Sequence, residues 1–331
     1  MVGNRRRILI LAAVLLLSGC GSASEAAAVP SFSPTPSATP VPEPKVIDDM
    51  DAEALPEAYL EAMEQGGTIE TITYSAENYV ADDGSTLSKE AEVYLPAGYG
   101  ESSDTYPAVI LMHGWQGNDS TIFTAEDGAV VNVLDHMIAE GVIPACIVVT
   151  PTFDTRNKSA SWEKSETELE PFASETRNDL LPYLLENYRI SEDRQDHYFG
   201  GFSMGGVTVW YEFLENLDLF HGFLAISGDC WKTKTDGAET DYAETAGLLE
   251  QAVRDQKFDS DDFLIVAESG SEDYFLTPME EQIKEMRKTG MFTEENLFWR
   301  LQQGAQHSYD ALGCYLYNGL PILFGTSDQK R

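Results

Sequence analysis

Between residues 67 and 324 the apolar positions of this chain switch between two periods. Segments 68–74 and 91–95 alternate apolar and polar residues, the pattern of a strand with one face buried near a sheet edge. Continuous apolar runs follow at 108–112, 146–150, 197–202, 222–226, 263–267 and 296–301, each short enough for a strand covered on both faces. Apolar residues at helical spacing fill 127–138, 174–187, 205–216, 242–256, 278–288 and 309–320, which predicts helices there. About eight strands, the later ones alternating with helices, predict an α/β domain with a mainly parallel sheet and helices on both faces. Segment 151–171 follows neither period and exceeds an ordinary connection, so it reads as a binding loop.

The region before this domain has a different character. Residues 1–19 begin with Arg5, Arg6 and Arg7 and continue as an apolar run over 8–17, a secretory signal too short to span a membrane. It ends in Leu17-Ser18-Gly19-Cys20, which resembles a bacterial lipobox. That resemblance implies a lipidated Cys20 and an extracytoplasmic protein anchored to the bacterial cell membrane. Residues 20–45 are rich in Ala, Ser, Thr and Pro and read as a disordered tether. Residues 46–66, with Asp51, Glu53, Glu57, Glu61 and Glu64, read as an acidic helical adaptor, and 67–331 as the catalytic-sized domain.

A net charge of −35 disfavours nucleic acid as a partner, because phosphate binding needs clustered Lys and Arg. With Cys20 set aside, Cys146, Cys230 and Cys314 are an odd set. Cys146 lies in an apolar run and reads as core, and a Cys230–Cys314 bridge stays open. No His/Cys/carboxylate spacing suggests a metal and no Gly-rich loop suggests a phosphate cofactor, so neither is expected.

The most informative stretch is Gly200-Gly201-Phe202-Ser203-Met204-Gly205-Gly206, set between an apolar run and a helical pattern. Gly-x-Ser-x-Gly at a strand-to-helix turn is a nucleophile elbow, which exposes the serine at the end of the sheet. A serine hydroxyl needs a base, and a base needs an orienting carboxylate. After the seventh strand comes Glu268-Ser269-Gly270-Ser271-Glu272-Asp273, and after the eighth Gly304-Ala305-Gln306-His307. Ser, acid, His is the chain order of α/β-hydrolases, so Ser203, Asp273 and His307 are the candidate catalytic set. Glu272, Glu268 and Asp229 are rivals for the acid. His136, His197 and His221 read as structural. His113-Gly114-Trp115-Gln116-Gly117 follows the third strand, where oxyanion-hole loops lie. Its donors would be the N–H groups of Trp115 and Met204, with His113 ordering the loop.

With these residues assembled, the chain resembles the esterase branch of the α/β-hydrolases that includes feruloyl and acetyl-xylan esterases, enterochelin esterase and esterase D. The resemblance rests on Val93-Tyr94-Leu95-Pro96-Ala97-Gly98-Tyr99, the His113-Gly114 loop, and the segment from Leu180 to Arg189 preceding Gly-Phe-Ser-Met-Gly-Gly. It implies an α/β-hydrolase fold and a serine esterase working through an acyl-enzyme on feruloyl or acetyl esters of plant polysaccharide. The chain departs from the Gly-His-x-Trp often seen in feruloyl esterases, having Gln306-His307-Ser308-Tyr309. Trp115, Trp162 and Trp231 lie in expected loops and could stack on sugar rings or phenolic acids, whereas Asp154, Glu163 and Glu166 are expected to be solvated. Two other readings stay open: an esterase or acyltransferase for another ester, such as a siderophore or xenobiotic, and a non-catalytic carbohydrate-binding surface lipoprotein.

Overall fold

The computed structural model of the protein describes residues 52–125, 129–156, 160–234 and 240–325. The leader, Cys20 and the tether to residue 45 lie outside the described residues. The strands are β1 (Thr68–Glu77), β2 (Thr86–Leu95), β3 (Ala108–Met112), β4 (Ile147–Pro151), β5 (His197–Phe202), β6 (Gly222–Ile226), β7 (Leu264–Gly270) and β8 (Leu297–Gln302). They form one sheet in the order β1-β2-β4-β3-β5-β6-β7-β8. The pairs β1–β2 and β2–β4 are antiparallel, and every pair from β4–β3 to β7–β8 is parallel. The alternation in β1 buries Ile72, Tyr74 and Ala76 on one face, whereas every residue of β3, β5 and β6 is buried.

Helices cover both faces. In chain order they are α1 (Thr121–Thr124), α2 (Val130–Ala139), α3 (Trp162–Leu169), α4 (Phe172–Glu175), α5 (Leu181–Asn187), α6 (Met204–Glu215), α7 (Tyr242–Asp255), α8 (Leu276–Thr289) and α9 (Leu312–Leu323). The period of two in the strands sorts the core. Ala108, Ile110, Phe223, Ala225 and Ile265 pack with α3 to α8, while Val109, Leu111, Leu224, Ile226 and Val266 pack with α1, α2 and α9. Parallel strands bring the carboxyl ends of β3 to β8 to one edge, where an open α/β sheet gathers its functional groups.

Two expectations are corrected, and one open question is answered. The stretch 151–171 contains α3, a mostly polar helix that buries Ser165, Glu168 and Leu169; its helical period is carried by polar side chains. Of the expected acidic helix over 46–66, residues 46–51 lie outside the described residues, and in the described part Glu57–Leu60 makes a single 3-10 turn. That segment is too short for helical cooperativity, and Pro56 before it is extended. It docks through Tyr59, whose ring stacks on His136 at 4.9 Å and whose hydroxyl donates to Glu140 at 2.7 Å. Finally, Cys146, Cys230 and Cys314 are free, buried thiols with no Cys230–Cys314 bridge. The Cys314 thiol instead donates to Gln302 at 2.6 Å.

Candidate active site

The elbow between β5 and α6 is built backbone against backbone. A Cβ on Gly205 would collide with the Met112 carbonyl at the end of β3, and one on Gly201 with the backbone of Gly205. Glycine at both positions therefore lets the first turn of α6 rest directly on the neighbouring strand. Ser203 takes φ 59° and ψ −121°, a left-handed conformation that costs a non-glycine residue roughly 1–3 kcal/mol. It is held there by its N–H, which donates to Ile226 O at 2.9 Å, and by Val207 N–H, which donates to its carbonyl at 3.0 Å.

The two later loops are fastened to each other before either reaches Ser203. Ser271 N–H donates to Gln302 O at 2.9 Å, and Glu272 N–H to Ala305 O at 3.0 Å. Gly304 N–H donates to Ser271 Oγ at 2.8 Å, and Gln306 Nε2 to Glu272 at 3.1 Å. From this frame His307 Nδ1 meets the Asp273 carboxylate at 2.9 and 3.0 Å, and His307 Nε2 meets Ser203 Oγ at 2.8 Å. Asp273 also accepts from Phe275 N–H at 2.7 Å, which fixes its own rotamer. The imidazole is sandwiched by rings, with Phe202 at 4.8 Å, Phe275 at 5.2 Å and Tyr274 at 4.2 Å.

The rival acids stand elsewhere. Asp229 accepts from Trp231 Nε1 at 3.0 Å and Tyr242 Oη at 3.1 Å, and burial raises its pKa. Glu272 is taken by Gln306. Glu268 is fully buried, with burial driving its pKa well up. His136 Nε2 donates to Glu61 O, His197 bridges Leu219 O and Ser191 O, and His221 meets Asp262 O. Neither His136 nor His197 shares a hydrogen bond with Ser203 or Asp273 among the described residues.

The loop after β3 lies against the elbow. His113 is buried, with Nδ1 2.7 Å from Gly114 O and Nε2 2.8 Å from Thr152 Oγ1. Neutral imidazole satisfies both contacts by donating from Nδ1 and accepting at Nε2; burial lowers its pKa to about 4. Gln116 adopts φ 66°, which turns the chain tightly after Trp115. Met204 opens α6, so its N–H is one of the first-turn groups with no intrahelical acceptor.

Trp115, Trp162 and Trp231 come together as one aromatic strip. Trp115 meets Trp162 at 5.4 Å, Trp162 meets Trp231 at 5.6 Å, and Trp231 stacks on Phe275 at 6.3 Å, one ring from His307. Lys234 lies 3.7 Å over the Trp231 ring and pairs with Glu166 at 2.9 Å, while Lys232 pairs with Glu170. These pairs tie α3 to the loop after β6.

Two features were not anticipated in the sequence. Asp154, expected in solvent, is buried, and burial together with Glu168 raises its pKa to about 6. Lys89 is also buried. It donates to Thr152 O at 2.7 Å and Asp154 O at 3.1 Å and pairs with Glu175 at 3.3 Å. It thereby props the turn whose Thr152 holds His113. The sequence signal was Lys89 in phase with the inward residues Ala91 and Val93.

This strand order, with a strained serine elbow after β5 and a carboxylate and imidazole after β7 and β8, defines an α/β-hydrolase fold. The chain belongs to the esterase family described as "Putative esterase", whose model matches residues 88–317. It is 30% identical over 285 residues to endo-1,4-beta-xylanase Y of Acetivibrio thermocellus, covering 81% of this chain and 24% of that protein. It is 27% identical over 166 residues to an endo-1,4-beta-xylanase/feruloyl esterase of Xylanibacter ruminicola, covering 49% of this chain and 22% of that protein. The chain thus spans about a quarter of the length of these relatives. Among solved structures, it matches a feruloyl esterase module from Clostridium thermocellum, a serine-to-alanine mutant complexed with sinapinate. That match has a TM-score of 0.71 and 29% identity over 83% of this chain and 94% of that one.

The depressed pKa of His113 gives a pH signature. Unfolded His113 takes a proton below pH ~6.5, whereas the folded residue refuses it until about 4. Its contribution is present above the unfolded value and is lost as pH falls toward 4, amounting to roughly 3 kcal/mol. Urea unfolding near neutrality and again near the folded pKa should show a larger acid loss in the parent than in His113→Asn. Equal losses in the two proteins would refute this assignment.

Proposed function

We propose that the protein is a serine esterase acting on feruloyl or acetyl esters of plant polysaccharide. The observation that carries this reading is the hydrogen-bonded series Ser203–His307–Asp273 on a strained elbow, with Nε2 2.8 Å from Oγ. In the proposed reaction Ser203 Oγ attacks the ester carbonyl while His307 Nε2 takes the hydroxyl proton. Asp273 holds Nδ1–H and stabilises the imidazolium. The backbone N–H groups of Trp115 and Met204 receive the developing oxyanion. His307 then returns the proton to the departing alcohol. Water, deprotonated by His307, attacks the acyl-enzyme carbonyl and releases the acid, restoring Ser203. No cofactor enters these steps.

The substrate class is supported by the relatives' xylanase and feruloyl esterase names and by the strip of Trp115, Trp162 and Trp231 leading toward His307. Aromatic faces of this kind stack on phenolic rings or on sugars. Remote binding energy there can be spent on placing the carbonyl beside Ser203. We further propose an extracytoplasmic location with Cys20 as the lipid anchor, supported by the basic, apolar and Leu-Ser-Gly-Cys segments in succession.

Three outcomes are expected. Ser203→Ala and Asp273→Asn should each lower kcat on p-nitrophenyl acetate by several orders of magnitude, as other triads behave, whereas Asp229→Asn should retain most of it. The reverse ranking of the two Asp variants would move the orienting acid to the loop after β6. Feruloylated or acetylated xylo-oligosaccharides should show higher kcat/KM than short p-nitrophenyl esters; equal or lower values would leave a general esterase. Cys20→Ser should abolish lipoprotein maturation, and unchanged processing and membrane retention would point to another anchor.

A further inference from the structure

Gly114 is gripped at both ends of its backbone. Its carbonyl is 2.7 Å from His113 Nδ1 and accepts Gly117 N–H at 3.1 Å, while its N–H donates to the Tyr309 hydroxyl at 2.7 Å. The second grip crosses the site, because Tyr309 is two residues beyond His307 and Gly114 directly precedes Trp115. A Cβ on Gly114 would stand 2.9 Å from Ser203 Cβ and 3.2 Å from Tyr309 Oη. A methyl group on Gly114 would therefore crowd both the elbow and the hydroxyl.

The ring behind that hydroxyl is well held. It packs on Phe202 at 4.9 Å, and Phe202 stacks in turn on His307 at 4.8 Å. Ser308 Oγ accepts from Asp310 N–H at 3.2 Å and starts the 3-10 turn Tyr309–Ala311, which fixes where the ring leaves the chain. Burial raises the Tyr309 pKa to about 12, so the group stays a neutral hydroxyl wherever His307 can act as a base. Among the described residues, this hydroxyl is the one side-chain group that ties the loop after β3 to the loop carrying His307.

We propose that Tyr309 is a positioning residue that sets the Gly114–Trp115 peptide, and with it the oxyanion-binding N–H of Trp115, against Ser203 and His307. The proposal rests on the esterase reading above. It differs from a packing role because the phenol oxygen, and not the ring, makes the contact. Removing the oxygen frees the loop end nearest the reacting carbonyl while the ring keeps its place on Phe202. The loss should fall on the transition state, where the oxyanion forms, more than on ground-state binding.

Tyr309→Phe isolates that oxygen. Losing one oxyanion donor outright costs ~10²–10³ in kcat, so loosening one should cost roughly 10- to 100-fold in kcat with KM within about twofold. Amide hydrogen exchange of the 113–117 segment should accelerate in the same variant, and affinity for a boronic acid that mimics the tetrahedral intermediate should fall in step with kcat. Unchanged exchange in that segment, kcat within about twofold of the parent, or a rise in KM alone would each overturn the proposal. Exchange is read without turnover, so it remains decisive for the Tyr309 contact if the parent hydrolyses no ester. In that event accelerated exchange would leave the loop contact standing and retire the esterase reading and the catalytic use of the contact.

Discussion

The absence of side chains at Gly201 and Gly205 is the constraint on which the rest of the site depends. Because nothing projects from Gly205, the start of α6 lies against the Met112 carbonyl, and β5 can turn into the helix within a single residue. That residue is Ser203, and its φ of 59° is over-determined by hydrogen bonds to Ile226 and from Val207. The strain is thus held by β6 and α6 through the serine's own backbone hydrogen bonds. With the elbow fixed, the loops after β3, β7 and β8 need only reach one edge of a parallel sheet to meet at the same hydroxyl.

Those loops are held in place in a shared way. Each is held by polar contacts to its neighbour: Glu272 to Ala305, Gly304 to Ser271, His113 to Thr152, and Gly114 to Tyr309. The Thr152 turn in turn leans on the buried ammonium of Lys89, which is offset by Glu175 and by two backbone carbonyls. A buried charge is tolerable only with such complete pairing. Removing Glu175 alone would therefore be expected to harm the site more than removing a surface acid. The aromatic strip has a similar dependence, since Asp229 holds the Trp231 indole and the Lys234–Glu166 pair holds α3 beside it.

Much of this was legible in the chain. The buried strands of the parallel sheet read directly because their apolar runs are continuous, and Gly-x-Ser-x-Gly fell where the period changes from strand to helix. The chain order of Ser203, Asp273 and His307 followed from which strand each succeeds, and the structure brings those three together while leaving Asp229 with Trp231 and Tyr242. What escaped was carried by polar side chains. α3 buries Ser165 and Glu168, and β2, which runs from Thr86, buries Lys89 on its inward face. Hydropathy counts such residues as surface. Residues 46–66 looked helical from composition, yet Glu57–Leu60 makes only one 3-10 turn, held by Tyr59 and by Asn132, which donates to Leu60 O. The role of Tyr309 has no local signal, because its partner Gly114 is 195 residues away.

The central claim is that the fold makes Ser203 a nucleophile through His307. Labelling the full chain with a fluorophosphonate probe, followed by peptide mapping, tests it most directly. The account predicts a single adduct on Ser203, strongly reduced in His307→Ala while the protein stays folded. An adduct on another residue, or labelling of Ser203 that is indifferent to His307, would contradict it.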